Sequence, residues 1–332
     1  MNYCDQLHYH MNFLPTCISP CCNTHSVGAP EFPFTGGYVD FEKYTKHIEE
    51  VRKKIQNPPN AFCTDCPDIY IYIYSGQEFP PMDIRIVSIN PHRDYCDCRC
   101  VYCHLWNHPE KIKPYSMYEP LTSLYEQKAI NPETTSLHWG GGESTLLKDF
   151  EETSRWSLDN GFVQYVHTNG FHLSQSIIDF LQEDKGSVNI SLDCGGRETY
   201  KRVKGVDKWD AVTKHIADYV NNAKDTNKVN IKYIIFKENN SLKQIEKFFE
   251  FCKKSNVSLV EFSFDFCEIR DNSVTDQSVK AAALFRHLAK VNGMAVEPFF
   301  IPMELQEKVN AQLEKMETSP WMNVKRFFRK II

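Results

Sequence analysis

Six short apolar runs, separated by stretches patterned as amphipathic helices, limit the folds open to this chain more than any other feature. They span 83–90, 136–139, 162–167, 188–193, 229–236 and 258–264. Between them, Ser174 is placed to cap a helix carrying Ile177, Ile178 and Leu181, with Gly186 at its end. Asp207 is placed to cap a second, with Val212, Ile216, Tyr219 and Val220. Ser241 is placed to cap a third, whose apolar stripe holds Leu242, Ile245, Phe248, Phe249 and Cys252. Strands divided by helices of this length pair in parallel through right-handed crossovers. The expected fold class is α/β, a partial (βα)6 barrel with its chemistry at the C-terminal ends of the strands.

Composition narrows the class further. A chain of 332 residues with 42% apolar residues is long enough for one large domain or two smaller ones. The net charge of −5 leaves no basic footprint for nucleic acid. No run of apolar residues is long enough for a membrane span, and the start Met1–Gln6 lacks the basic and apolar regions of a signal peptide. A cytoplasmic location is therefore expected, and there thirteen cysteines point to metal or redox chemistry rather than disulfides.

The cysteines are not scattered. Cys96, Cys100 and Cys103 form C-x3-C-x2-C directly after the first apolar run, with Tyr102 before the last thiol. Three thiolates on one short loop can hold three corners of a four-iron cube and leave the fourth iron open, whereas a closed zinc site wants four ligands. The second run stops in Gly141-Gly142-Glu143, where glycines permit close backbone approach and a carboxylate can receive an ammonium. The third stops in Thr168-Asn169-Gly170, which by itself reads as an Asn-Gly turn. Ser191 and Asp193 take alternate positions of the fourth run and so face one side, Asp193 being equally suited to a cap.

The cysteine loop, the Gly-Gly-Glu turn forty residues on and the Thr-Asn-Gly turn together resemble the radical S-adenosylmethionine (radical SAM) superfamily, over residues ~83 to ~270. The resemblance implies a 4Fe-4S cluster on Cys96, Cys100 and Cys103, with S-adenosylmethionine bound at its open iron. It implies cofactor contacts from Tyr102, Gly141, Gly142, Glu143, Thr168, Asn169, Ser191 and Asp193. Arg202 lies in a segment similar to that of peptide-modifying members and either reaches the cofactor carboxylate or is a solvated surface residue. Ser144 stands where the family often has proline. The implied activity is reductive cleavage of S-adenosylmethionine to a deoxyadenosyl radical that abstracts hydrogen from a peptide, sugar or other small molecule. Oxidation, cross-linking and epimerisation are all open as outcomes. A flavodoxin or ferredoxin is implied as reductant. Cys194 and Cys267 each follow a strand at its C-terminal end, where a thiol can return hydrogen to a substrate radical or simply pack. The alternative class is a zinc-binding, non-catalytic scaffold on a barrel fold.

The first 80 residues hold six more cysteines. The order Cys4, Cys21-Cys22 after a proline, the Gly36-Gly37 turn and the pair Cys63/Cys66 is similar to the auxiliary-cluster segment called SPASM, which usually follows the radical core. The ligand set this implies is Cys4, Cys21 (or Cys22), Cys63 and Cys66, for an auxiliary 4Fe-4S cluster or a structural zinc. The expected division is residues 1–80 for this segment, 81–300 for the core and 301–332 for a helical tail. The tail's end, from Trp321 to Ile332, is basic and apolar, and on a helix can touch an anionic membrane surface or pack on its own domain.

Overall fold

A computed structural model describes residues 2–21, 31–55, 70–71, 81–103 and 113–318. By contact the chain divides into two compact units. The first comprises Met1–Asp97, Leu105–His167 and Ser174–Phe180; the second comprises Cys98–His104, Thr168–Leu173 and Leu181–Ile332.

The first unit contains strands β1 (His10–Phe13), β2 (Cys17–Ser19) and β3 (Phe32–Pro33), then helix α1 (Phe41–Ile55) and strand β4 (Ile86–Ile89). Helix α2 (Tyr118–Glu126), β5 (Ser136–Trp139), α3 (Phe150–Asp159) and β6 (Val163–Thr168) follow. β1 pairs in parallel with β4, β4 with β5 and β5 with β6, while β1–β2 and β2–β3 are antiparallel. The residues before 80 thus supply a parallel strand to this sheet, with Met11 and Phe13 fully buried and His10 and Asn12 on the alternate face.

Helix α4 (Gln175–Gln182) leads into β7 (Gly186–Ser191), α5 (Arg197–Lys204) and α6 (Trp209–Asn222). β8 (Val229–Ile235), α7 (Leu242–Lys254), β9 (Leu259–Phe264), α8 (Asp276–Val291), β10 (Ala295–Pro298) and α9 (Met303–Thr318) complete the chain as described. In the second unit β7, β8, β9 and β10 are parallel neighbours in that order. The fold class is therefore α/β with mostly parallel pairing, consistent with the partial barrel expected from the sequence.

One face of β7–β9 is apolar: Val188, Ile190, Ile231, Tyr233, Ile235, Val260 and Phe262 are at most 1% exposed. It packs on α7 and α8, where the Phe285 ring lies 5.4 Å from Phe248, 4.8 Å from Phe249 and 5.3 Å from Phe262. The opposite face is polar. Lys232 pairs with Glu261 at 2.8 Å, and Glu261 also accepts from Asn189 and Asn230 at 2.9 and 3.1 Å.

The helix signals behave unevenly. Ser241 caps α7 by accepting the Gln244 N–H, and the Ser174 hydroxyl accepts the Ile177 N–H at 3.2 Å, as expected. Gly186 does not end a helix: α4 stops at Gln182 and Gly186 opens β7. Asp207 does not cap α6. Lys208 holds that position, because the Asp207 carboxylate is engaged by Arg197 at 3.0 Å. β10 was not evident in the sequence; it is four residues long, ends on a proline and pairs on one side, as an edge strand can. No helix among the described residues is long and apolar enough to cross a membrane.

Candidate functional site

The cysteine loop follows β4 and runs from the first unit into the second. Its early part is fixed by the first unit. After Asn90, backbone bonds from Arg93 to Asn90 O (3.2 Å) and from Tyr95 to His92 O (2.7 Å) turn the chain. The Gly-Gly-Glu turn after β5 seats directly on this backbone. Glu143 N–H donates to Tyr95 O at 2.9 Å, and the Ser144 hydroxyl meets His92 Nε2 at 3.1 Å. Gly142 sits at φ +38°, where an added Cβ would stand 2.1 Å from His92 O and 2.5 Å from Tyr95 O. Its glycine is thus required by the approach of the turn to the chain's own loop.

Glu143 is fully buried, and its Oε1 accepts from the Thr145 hydroxyl at 2.7 Å and the Thr145 N–H at 3.3 Å, capping a short 3-10 turn. Burial pushes His92 down to about 4. His10 and His138, from β1 and β5, are likewise held at about 4, by burial and then by a neighbouring imidazole, His138 and His167 respectively.

The later part of the loop is fixed by the second unit. Arg99 N–H donates to Lys204 O at 2.8 Å and Val101 N–H to Val203 O at 3.0 Å, while Cys103 N–H closes a turn on Cys100 O at 3.0 Å. Tyr102 Oη donates to Asp193 Oδ2 at 2.6 Å, and Lys204 Nζ donates to Tyr102 Oη at 3.0 Å and pairs with Asp193. Asp193 Oδ1 accepts the Ile234 N–H at 2.7 Å. Burial alone would lower the Lys204 ammonium, but the Asp193 carboxylate, with Tyr102 and Cys100, outweighs it and keeps the charge. A hydrogen bond from Cys98 and, against the opposing effect of burial, the Lys204 charge hold the Cys100 thiol down to about 6. A downward shift favours the thiolate, the form that binds metal.

Among the described residues, the side chains brought within 4.8 Å of one another with metal-binding atoms are Cys96, Asp97 and Cys98, consecutive on the loop. Cys100 and Cys103 are not in that group, although the spacing reading puts them with Cys96 and leaves Cys98 aside. The donor set of the loop, thiols on one short turn with Cys100 already thiolate-like, fits an iron–sulfur cluster. Cys4 and Cys21 are buried in the first unit, and Cys63, Cys66 and the end of the tail lie outside the described residues.

The other expected residues have local partners. The Thr168 hydroxyl accepts the Gly170 N–H at 3.0 Å and Asn169 Oδ1 accepts the Phe171 N–H at 2.8 Å, forming the turn that an Asn-Gly pair implies. Ser191 ends β7, and Asp193 lies beyond it at φ +57°. Arg202 is exposed and donates to Glu238 O at 2.9 Å. Cys194 is fully buried, and burial pushes its thiol up to about 12, whereas Cys267 is exposed at the start of the helix after β9. Lys204 was missed in the sequence. Its signal there is weak: a lysine in the last turn of α5, with buried Tyr200 and Val203 on the same helix.

Residues 90–252 match the family described as Radical SAM superfamily. The GTP 3',8-cyclase of Haemophilus influenzae (strain PittGG) is 30% identical over 167 residues, which cover 48% of this chain and 48% of that protein. A probable GTP 3',8-cyclase of Saccharolobus islandicus (strain L.S.2.15 / Lassen #1) is 27% identical over 180 residues, 54% of this chain and 55% of that protein. The chain therefore spans about half the length of the curated relatives it matches. Streptococcus suis SuiB has a similar fold, with a TM-score of 0.51 at 16% identity over 81% of this chain and 57% of that one.

Proposed function

We propose that this chain, whose residues 90–252 match the radical SAM superfamily, is an enzyme that reductively cleaves S-adenosylmethionine and takes a hydrogen atom from its substrate. The observation that carries the reading is the C-x3-C-x2-C loop after β4, inside the stretch 90–252 that matches the radical SAM superfamily. When bound, a four-iron cluster and S-adenosylmethionine supply the electron transfer and the carbon radical. The chain's part is to hold, orient and shield them. Cys96, Cys100 and Cys103 hold the cluster in this reading. Gly141, Gly142 and Glu143 receive the amino end of the cofactor, and Thr168, Asn169, Ser191 and Arg202 flank it. The engagement of Asp193 and Tyr102 with Lys204 favours an indirect role for both, through the loop.

The substrate is a peptide or a small molecule. Similarity to GTP 3',8-cyclases across the core favours the small-molecule class and a radical rearrangement beside oxidation, cross-linking or epimerisation. Of the two thiols offered for hydrogen return, the exposed Cys267 is the better placed, because Cys194 is fully buried. Cys4, Cys21, Cys63 and Cys66 remain the proposed ligands of an auxiliary cluster or zinc, a flavodoxin or ferredoxin the proposed reductant, and the basic tail a proposed membrane contact. Reconstituted, reduced protein given S-adenosylmethionine is expected to release 5'-deoxyadenosine. Cluster-loaded protein that releases none sinks the reading.

A further inference from the structure

A helix end and the cysteine loop are joined by a network built on a buried charge pair, all within the second unit. Lys204 is 1% exposed and Asp193 is 0% exposed, and the Tyr102 hydroxyl bridges them. Asp193 ties several parts of the unit together: Oδ2 to Lys204 and Tyr102, Oδ1 and the backbone N–H to β8 through Ile234 and Lys232, and the carbonyl O to Asn239 Nδ2 at 2.8 Å. The backbone completes the clamp, with the Lys204 and Val203 carbonyls accepting from Arg99 and Val101. Gly205, at φ +70°, lets the helix end come this close: an added Cβ would stand 2.7 Å from Arg99 O.

A buried ion pair is seldom the most stable choice for a core, since apolar residues of the same volume do as well or better. Asp193 is also held in a left-handed conformation, which a non-glycine residue adopts at a cost and which tends to persist at functional sites. Stability therefore does not explain the network. Its reach does: Tyr102 lies between Cys100 and Cys103, and Arg99 and Val101 flank Cys100.

We propose that Lys204 is a positioning residue of the cysteine loop: through Tyr102 and Asp193 it fixes the turn from Cys100 to Cys103 and sets the charge felt by the cluster those thiolates hold. The inference rests on the radical SAM reading. Deleting the Lys204 charge leaves the Asp193 carboxylate uncompensated, so adding an electron to the cluster becomes harder. Deleting the Asp193 charge leaves the ammonium and makes it easier.

The test is an EPR-monitored redox titration, with chelator-driven iron loss, on anaerobically reconstituted wild type, Lys204→Met, Lys204→Arg, Asp193→Asn, Tyr102→Phe and the Lys204→Met/Asp193→Asn double variant. The expected result is a more negative potential for Lys204→Met, a more positive one for Asp193→Asn, and a near-wild-type potential for the double variant and for Lys204→Arg. Iron loss should be on the order of 10-fold faster in Lys204→Met, as for other groups that orient metal ligands. Cluster-loaded variants that match wild type in potential and retention, or single variants that shift the same way, overturn the inference. If the single charge variants do not fold, Tyr102→Phe decides: faster iron loss supports the clamp and unchanged loss overturns it. Wild type that takes up no iron overturns the functional reading instead. Amide exchange at Arg99 and Val101 in Lys204→Met then decides the clamp, faster exchange supporting it and unchanged exchange refuting it.

Discussion

Replacing Gly142 by alanine should damage this protein severely, through both backbone contact and backbone conformation. The new Cβ would lie 2.1 Å from His92 O and 2.5 Å from Tyr95 O, both backbone atoms that no rotamer change can move. At φ +38° the alanine is also left-handed, worth about 1–2 kcal/mol. Forced overpacking adds about 1–3 kcal/mol, and distortion of the Glu143 to Tyr95 bond about 1 kcal/mol. The expected loss is roughly 3–6 kcal/mol. Two neighbours calibrate it. Gly141→Ala, at φ +69°, meets only the Asn90 side chain at 2.9 Å, an amide that can turn aside, and should cost about 1–2 kcal/mol. Gly196→Ala meets nothing within 4 Å and should cost under about 1 kcal/mol. Urea unfolding of the iron-free protein, followed by circular dichroism, measures all three on one scale. If Gly142→Ala falls within about 1 kcal/mol of Gly141→Ala, the seating of the turn on the cysteine loop is wrong.

Three further outcomes follow from the same structure. His92 protonates near 4 when folded and near its ordinary 6.5 when unfolded, so the unfolded chain takes up the proton first; stability is full above pH 6.5 and falls toward pH 4. Between pH 7 and pH 5 this residue alone should cost about 2 kcal/mol, with His10 and His138 acting in the same direction, and urea midpoints that do not fall would contradict the burial of these rings. Phe285→Ala should lose about 3–5 kcal/mol, because its ring touches Phe248, Phe249 and Phe262; a loss under about 1 kcal/mol would refute that core. In native protein at pH 8, peptide mapping after brief iodoacetamide treatment should find Cys267 alkylated and Cys194 untouched, the reverse order excluding the burial described here.

The strands of the α/β core were legible because each is an apolar run buried on at least one face, and Ser174 and Ser241 announced their helices by local chemistry. Asp207 misled because a cap competes with any nearby cation, and Arg197 is ten residues away in sequence but 3.0 Å away in space. Strand β1 was hidden by its brevity: His10-Met11-Asn12-Phe13 alternates properly, but four residues among cysteines read first as metal chemistry. Gly142 was legible as a glycine that something approaches, and the structure supplies the partner, the loop's own carbonyls. Lys204 was beyond the sequence, since its partners lie 11 and 102 residues away and no periodicity links them.

The cluster on the cysteine loop is tested most directly by the iron content and EPR spectrum of anaerobically reconstituted protein, wild type against a Cys96/Cys100/Cys103→Ala variant. A reducible four-iron signal is expected in wild type and lost in this variant, leaving any iron held through Cys4, Cys21, Cys63 and Cys66. Zinc without iron in both proteins would contradict it.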